Sequence, residues 1–177
     1  MAEASLLERM KSQWDGLGAG AYAAALVIVV LGLCGVAGVV LRLPWLFPSL
    51  GPTVMLFFES PEQEASRPIN ALVGHGIGLV AGALCLYAFG LQGQPSAPVG
   101  GLTPLHVVSG ALSVALTTLV LTWIGLPHPP AGATTLIISL GILTTPPQLL
   151  SVAAAVVVTT LMGWGLNMLL GTRPARK

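Results

Sequence analysis

Charge is what this sequence has least of. From Pro68 to Thr172 there is no Lys, Arg, Asp or Glu, and only 7% of the 177 residues are charged, against roughly a quarter in soluble domains. So long a stretch cannot form a hydrated surface, and with 54% of residues hydrophobic the chain reads as an integral membrane protein. All six acids lie near the N-terminus or between Glu59 and Glu64. A cation carrier or proton pump would ordinarily place carboxylates inside the membrane, so the composition favours small anions or neutral solutes. Basic residues form no cluster beyond Arg173, Arg176 and Lys177, which argues against a nucleic-acid partner. Cys34 and Cys85 sit in apolar runs without metal-ligand spacing and read as packing residues. No cofactor or metal is expected. Gly-x-Ser-x-Gly, His-Glu-x-x-His and phosphate-loop patterns are missing, so an enzyme is not expected.

What is present is four apolar runs, Ala19–Leu41, Ile69–Leu91, Leu105–Leu126 and Leu149–Leu170, each near the roughly 20 residues a helix needs to cross a bilayer. Before them, Leu6, Leu7, Met10 and Trp14 fall on one helical face, as in a short helix lying on the membrane surface. Two proline-interrupted stretches are different in kind. Leu126-Pro127-His128-Pro129-Pro130-Ala131-Gly132-Ala133-Thr134-Thr135 breaks one helix and starts another within an apolar run, because proline cannot continue a helix but suits its first turn. Phe47-Pro48-Ser49-Leu50-Gly51-Pro52-Thr53-Val54 has the same design, and an offset of 81 residues carries Pro48 onto Pro129, Gly51 onto Gly132, Thr53 onto Thr134 and Gly82 onto Gly163.

The fold expected is therefore an all-α polytopic membrane protein made of two repeats of three segments, each repeat holding one interrupted short helix. The organisation is an N-terminal surface helix at 1–18, a first membrane repeat at 19–91, a loop at 92–104, a second membrane repeat at 105–171 and a basic tail at 172–177. Five extended residues reach roughly 16 Å and ten helical ones roughly 15 Å, together about a hydrocarbon thickness. Six crossings and inverted repeats are thus favoured over four crossings with two re-entrant segments, which would make the repeats parallel. Both arrangements place the termini on one side, and Arg9, Lys11 and the basic tail assign that side to the cytoplasm.

Helix N-termini within a membrane attract anions through their dipoles and unpaired N–H groups. The substrate-binding residues expected on that basis are Ser49, Gly51, Thr53, His128, Pro129, Pro130, Gly132, Thr134 and Thr135, with His75 and His128 as a proton relay. His106, near a membrane boundary, carries the weakest expectation of the three histidines. Gly74, Gly78 and Gly82, spaced four apart, and the similar set Gly32, Gly35 and Gly38 mark helix faces for close packing, and Asn167 reads as interhelical glue.

These motifs, in their order, carry a resemblance. Gly125-Leu126-Pro127-His128-Pro129-Pro130-Ala131-Gly132-Ala133-Thr134, with Phe47 to Val54, Arg67-Pro68-Ile69-Asn70 and Gly74-His75, resembles the HPP integral membrane family over residues 20–170. The family's association with nitrite transport implies a transporter or channel for a small monovalent anion, nitrite foremost, seated between the two helix starts near mid-membrane. Some relatives carry an added regulatory domain, which a chain ending at Lys177 is expected to lack. The alternatives are a non-transporting membrane assembly module and a neutral-solute channel. The expected partners are a small anion, the lipid bilayer and further copies of the chain in a homo-oligomer; the expected location is a bacterial inner (cytoplasmic) membrane.

Overall fold

A computed structural model describes residues 5–172, apart from the side chains of Lys11, Gln13, Trp14 and Asp15; all of the basic tail after Thr172 lies outside that range. Every regular element among the described residues is helical. Helix α1, Leu6–Leu41, is capped by a reciprocal pair in which Ser5 Oγ accepts from the Glu8 N–H and the Glu8 carboxylate accepts from the Ser5 N–H. It contains no proline, and propagating a helix is easier than nucleating a second one. The stretch read as a separate surface helix therefore continues without a break into the first long run. Leu7 is buried in a cluster with Phe57 and Phe58.

The rest follows as α2, Leu50–Glu59; a 3₁₀ turn, Glu64–Ser66; α3, Pro68–Ala88; the one-turn α4, Ala97–Gly100; α5, Pro104–Trp123; α6, Ala131–Ser139; and α7, Pro146–Leu169. Proline opens α3, α5 and α7, where its missing N–H costs no bond. Four helices are long and apolar enough to cross a membrane: Gly16–Leu41 within α1, then α3, α5 and α7. Their outward faces expose large aliphatic side chains such as Ile28, Val39, Leu84, Leu119 and Leu161, an arrangement suited to lipid rather than water. The chain is an all-α polytopic membrane protein.

Hydrogen bonds fix which end of the bundle each segment reaches. Leu6 N–H donates to Leu170 O at 3.2 Å, so α1 starts where α7 stops; this is the terminal end. Asn167 Nδ2 donates to Phe57 O at 2.7 Å, which brings the last turn of α2 to the same end. At the opposite, connector end, Ala97 N–H donates to Leu140 O at 3.0 Å, joining the end of α6 to the loop between α3 and α5. Helix α6 lies along α3 in the same direction, with Gly74 against His128, Gly78 against Ala131 and Thr135, and Gly82 against Thr135 and Ile138. Each interrupted segment therefore runs from one end of the bundle to the other.

The packing is unchanged in pattern when the triads α1–α2–α3 and α5–α6–α7 are exchanged. Helix α3 packs on α6 as α7 packs on α2, α1 on α2 as α5 on α6, and α3 on α5 as α7 on α1, while α3 and α7 meet each other. The register is shared too. A Cβ on Gly82 would come within 3.0 Å of Ile138 Cβ, and one on Gly163 within 2.5 Å of Phe57 Cδ2; the same 81-residue offset carries Gly82 onto Gly163 and Phe57 onto Ile138. Of the other glycine set, Gly35 and Gly38 pack against the chain that follows α1, whereas Gly32 faces open space.

Candidate functional site

The two interrupted segments meet at a cluster of buried hydroxyls and imidazoles. Ser49, immediately before α2, does not cap that helix; its Oγ lies 2.6 Å from Thr134 Oγ1. His75, on α3, bridges the repeat-related threonines, with Nδ1 at 2.7 Å from Thr134 Oγ1 and Nε2 at 2.9 Å from Thr53 Oγ1. His128 Nε2 stands 3.2 Å from His75 Nε2 and 3.4 Å from Thr53 Oγ1, and the two rings are edge to face. His75 is 0% exposed and His128 2%.

Carbonyl acceptors orient the protons of this network. Ala65 O lies 2.9 Å from His128 Nδ1, so Nδ1 carries the hydrogen and Nε2 of the neutral ring is an acceptor. Thr53 Oγ1 donates to Ser49 O at 2.9 Å, so toward His75 it can only accept, and His75 carries its proton on Nε2. His75 Nδ1 then accepts from Thr134, whose oxygen accepts from Ser49. A single proton lies between the two Nε2 atoms. A second would set two N–H groups head to head at 3.2 Å.

Local sequence explains the placement. Gly74 leaves room for His128, since a Cβ there would stand 2.8 Å from His128 Cβ. Asn70 Nδ2 donates to Pro127 O at 3.0 Å, holding the extended stretch against the first turn of α3. His75 is the eighth residue of α3, about 10 Å along its axis, so the histidine pair lies nearer the terminal end, while α6 begins beside Gly78 in mid-bundle.

The helix start offers fewer backbone donors than the proline pattern suggests. Pro129 and Pro130 have no N–H, and the N–H groups of Ala131, Gly132 and Ala133 donate to the carbonyls of His128, Pro129 and Pro130 at 3.0 to 3.1 Å, in the tight three-residue pattern common at helix ends. What remains at this end of α6 is the helix field and the side chains. Nor do the two starts meet tip to tip: Ser49, just before α2, contacts Thr134, one turn inside α6.

The expected residues therefore divide. Ser49, Thr53, His75, His128 and Thr134 form the cluster. Thr135 turns away from it to Thr117 Oγ1, 2.9 Å distant. His128, Pro129 and Gly132 line a groove of about 340 Å³ with Val114, Thr117, Thr118 and Thr122 of α5. Pro130 is buried but does not line it, and Gly51 has nothing within 4 Å of where a Cβ would be. The 81-residue offset carries Val36, Val40 and Leu46 onto Thr117, Leu121 and Pro127, and those three line the corresponding hollow of the first half with Leu43 and Trp45. That hollow is lined by apolar side chains and glycines, whereas the second-half groove is rimmed by His128 and three threonines. Asn70 and the α5 threonines were not anticipated; the isolated amide at the start of α3 and the hydroxyls spaced along one face of α5 were the available signals. Asn167 does tie helices together, bonding Phe57 O and standing 3.5 Å from Tyr22 Oη.

Among the described residues, no group of three His, Cys, Asp or Glu side chains is arranged to hold a metal ion. No curated protein and no solved structure matches the chain. The family described as "HPP, transmembrane region" matches residues 10–175, a span that holds both interrupted segments and the two histidines they bring together, and the chain belongs to that family.

Proposed function

We propose that this protein transports a small monovalent anion, nitrite foremost, across a bacterial inner membrane. The observation that carries the reading is the buried His75–His128 pair, set where the two interrupted segments join and beside a groove rimmed by hydroxyls. An ionisable pair in a membrane interior is costly to keep and is a functional site by default. The positive end of α6 adds a field that favours negative charge at the same place. His128 Nε2 is the acceptor for an incoming proton. Its protonation would part the two rings and leave a cation at the groove wall, where an anion is held by charge and by hydroxyl donors. Nitrite is the base of a weak acid, so anion and proton can pass together without net charge.

The bundle supports this reading with six crossings. Both interrupted segments run its full length, and corresponding helices of the two triads run in opposite directions, as inverted repeats require. The termini share one end, read as cytoplasmic, and the protein acts as a homo-oligomer. Uptake of nitrite by proteoliposomes at two external pH values, beside empty vesicles and with nitrate and formate as competitors, tests the proposal. Protein-dependent, competed uptake is expected. Uptake no greater than that of empty vesicles would favour a non-transporting module in which the prolines only shape the helices.

A further inference from the structure

Helix α5 carries a buried row that the cluster above does not use. His106, Ser109, Ser113 and Thr117 recur every three or four residues, with Gly110 beside Ser109, all buried and on one face. That face lies against α6: Ser109 Oγ donates to Ser139 O at 3.0 Å, and Thr117 Oγ1 meets Thr135 Oγ1 at 2.9 Å. Ser113 and Thr117 donate to carbonyls of their own helix, so their oxygens need no partner from outside it. Between the two hydroxyl contacts the seam is closed by Leu136 and Leu140, each with a Cδ2 3.3 Å from where a Gly110 Cβ would stand.

A cavity lies at each end of this row. The groove at His128 reaches in as far as Val114. At the connector end a cavity of about 420 Å³ is bounded by Gly90, Gln94, Gly101, Thr103 and His106. From His106 to Val114 is eight residues, roughly 12 Å along α5. His106 Nδ1 accepts from the Thr103 N–H at 3.4 Å, which puts the ring proton on Nε2. That atom is buried and has no partner among the described residues, and the same holds for Ser139 Oγ. Buried donors without acceptors are costly, and these two border the closed stretch.

We propose that the α5–α6 seam is the half of the solute path that leads to the connector end, opened when Leu136 and Leu140 move off Gly110, with a small hydrogen-bond-accepting anion passing along Ser113 and Ser109 from His128 to His106. The inference rests on the transport reading but is tested apart from it. Ser109→Cys and Ser113→Cys, each a one-atom change, are exposed in membrane vesicles to a charged, membrane-impermeant methanethiosulfonate applied to both faces. Leu112→Cys, on the lipid-facing side of the same helix, and the unsubstituted protein with its buried Cys34 and Cys85 set the background. Such reagents attack the thiolate and so require water at the site. Modification of both seam cysteines about ten-fold faster than Leu112→Cys is expected; rates equal to Leu112→Cys would overturn the seam as a path. If one seam variant fails to fold, the other decides by the same comparison. Slowing of the Ser113→Cys reaction by nitrite would place the anion in the seam. Fast reaction untouched by nitrite would keep the path and remove the anion, so the two readings fail separately.

Discussion

His128 is the residue on which the proposed chemistry turns. Its Nδ1 proton is committed to Ala65 O and its Nε2 faces the Nε2–H of His75, so gaining a proton and keeping its neighbour are incompatible. His128→Ala should retain the fold, since Gly74 and the prolines still shape the turn, while flattening the pH dependence of nitrite uptake; a profile parallel to wild type would assign the proton step elsewhere. That His128 stands at the break before α6 was legible from the prolines around it. That it pairs with His75, 53 residues earlier, was not, because the pairing depends on α6 lying along the Gly74–Gly78–Gly82 face of α3. The backbone donors expected at the start of α6 failed for a related reason. The prolines predict a helix start, but only the backbone path decides whether the next three N–H groups turn back onto His128, Pro129 and Pro130.

At the scale of the element, the two short helices are each held by a glycine on the long helix behind them. Gly82 meets α6 backbone, with a Cβ there only 2.8 Å from Thr135 O, whereas Gly163 meets the ring of Phe57. Overpacking typically costs about 1–3 kcal/mol. Gly82→Ala should fall at the upper end of that range, because backbone cannot step aside, and Gly163→Ala lower, because a ring can turn. Thermal unfolding in detergent checks this: Gly82→Ala should melt well below wild type and Gly163→Ala between them, and equal melting of all three would contradict the packing. The long helices and both interruptions were readable in the sequence because proline and glycine act locally. The continuity of α1 through residues 6–18 was not, since the apolar face at Leu6, Leu7 and Met10 fits a surface helix as well as the start of a long one.

Across the whole molecule, six crossings place the connector Ser60–Arg67 at the same end as both termini, whereas four crossings with re-entrant segments would put it opposite. Glu62→Cys, in a segment that lines a hollow beside Leu7, should therefore be labelled by an impermeant thiol reagent from the same membrane face as an N-terminal tag. Labelling from the opposite face would break the inverted repeat. The likeness of the halves also has a limit that bears on function: they share packing partners and register, with helix directions reversed, yet the groove rimmed by hydroxyls lies in the second, the first presenting Val36, Val40 and Leu46 at corresponding positions. On the proposed reading the anion path runs along the second half from the His75–His128 pair, and binding there is a step that can fill. The most direct measurement of the central claim is the concentration dependence of nitrite uptake into proteoliposomes, corrected for the leak of nitrous acid through empty vesicles. The account predicts a saturating rate lowered by competing small anions; a corrected rate of zero, or one rising linearly without competition, would contradict it.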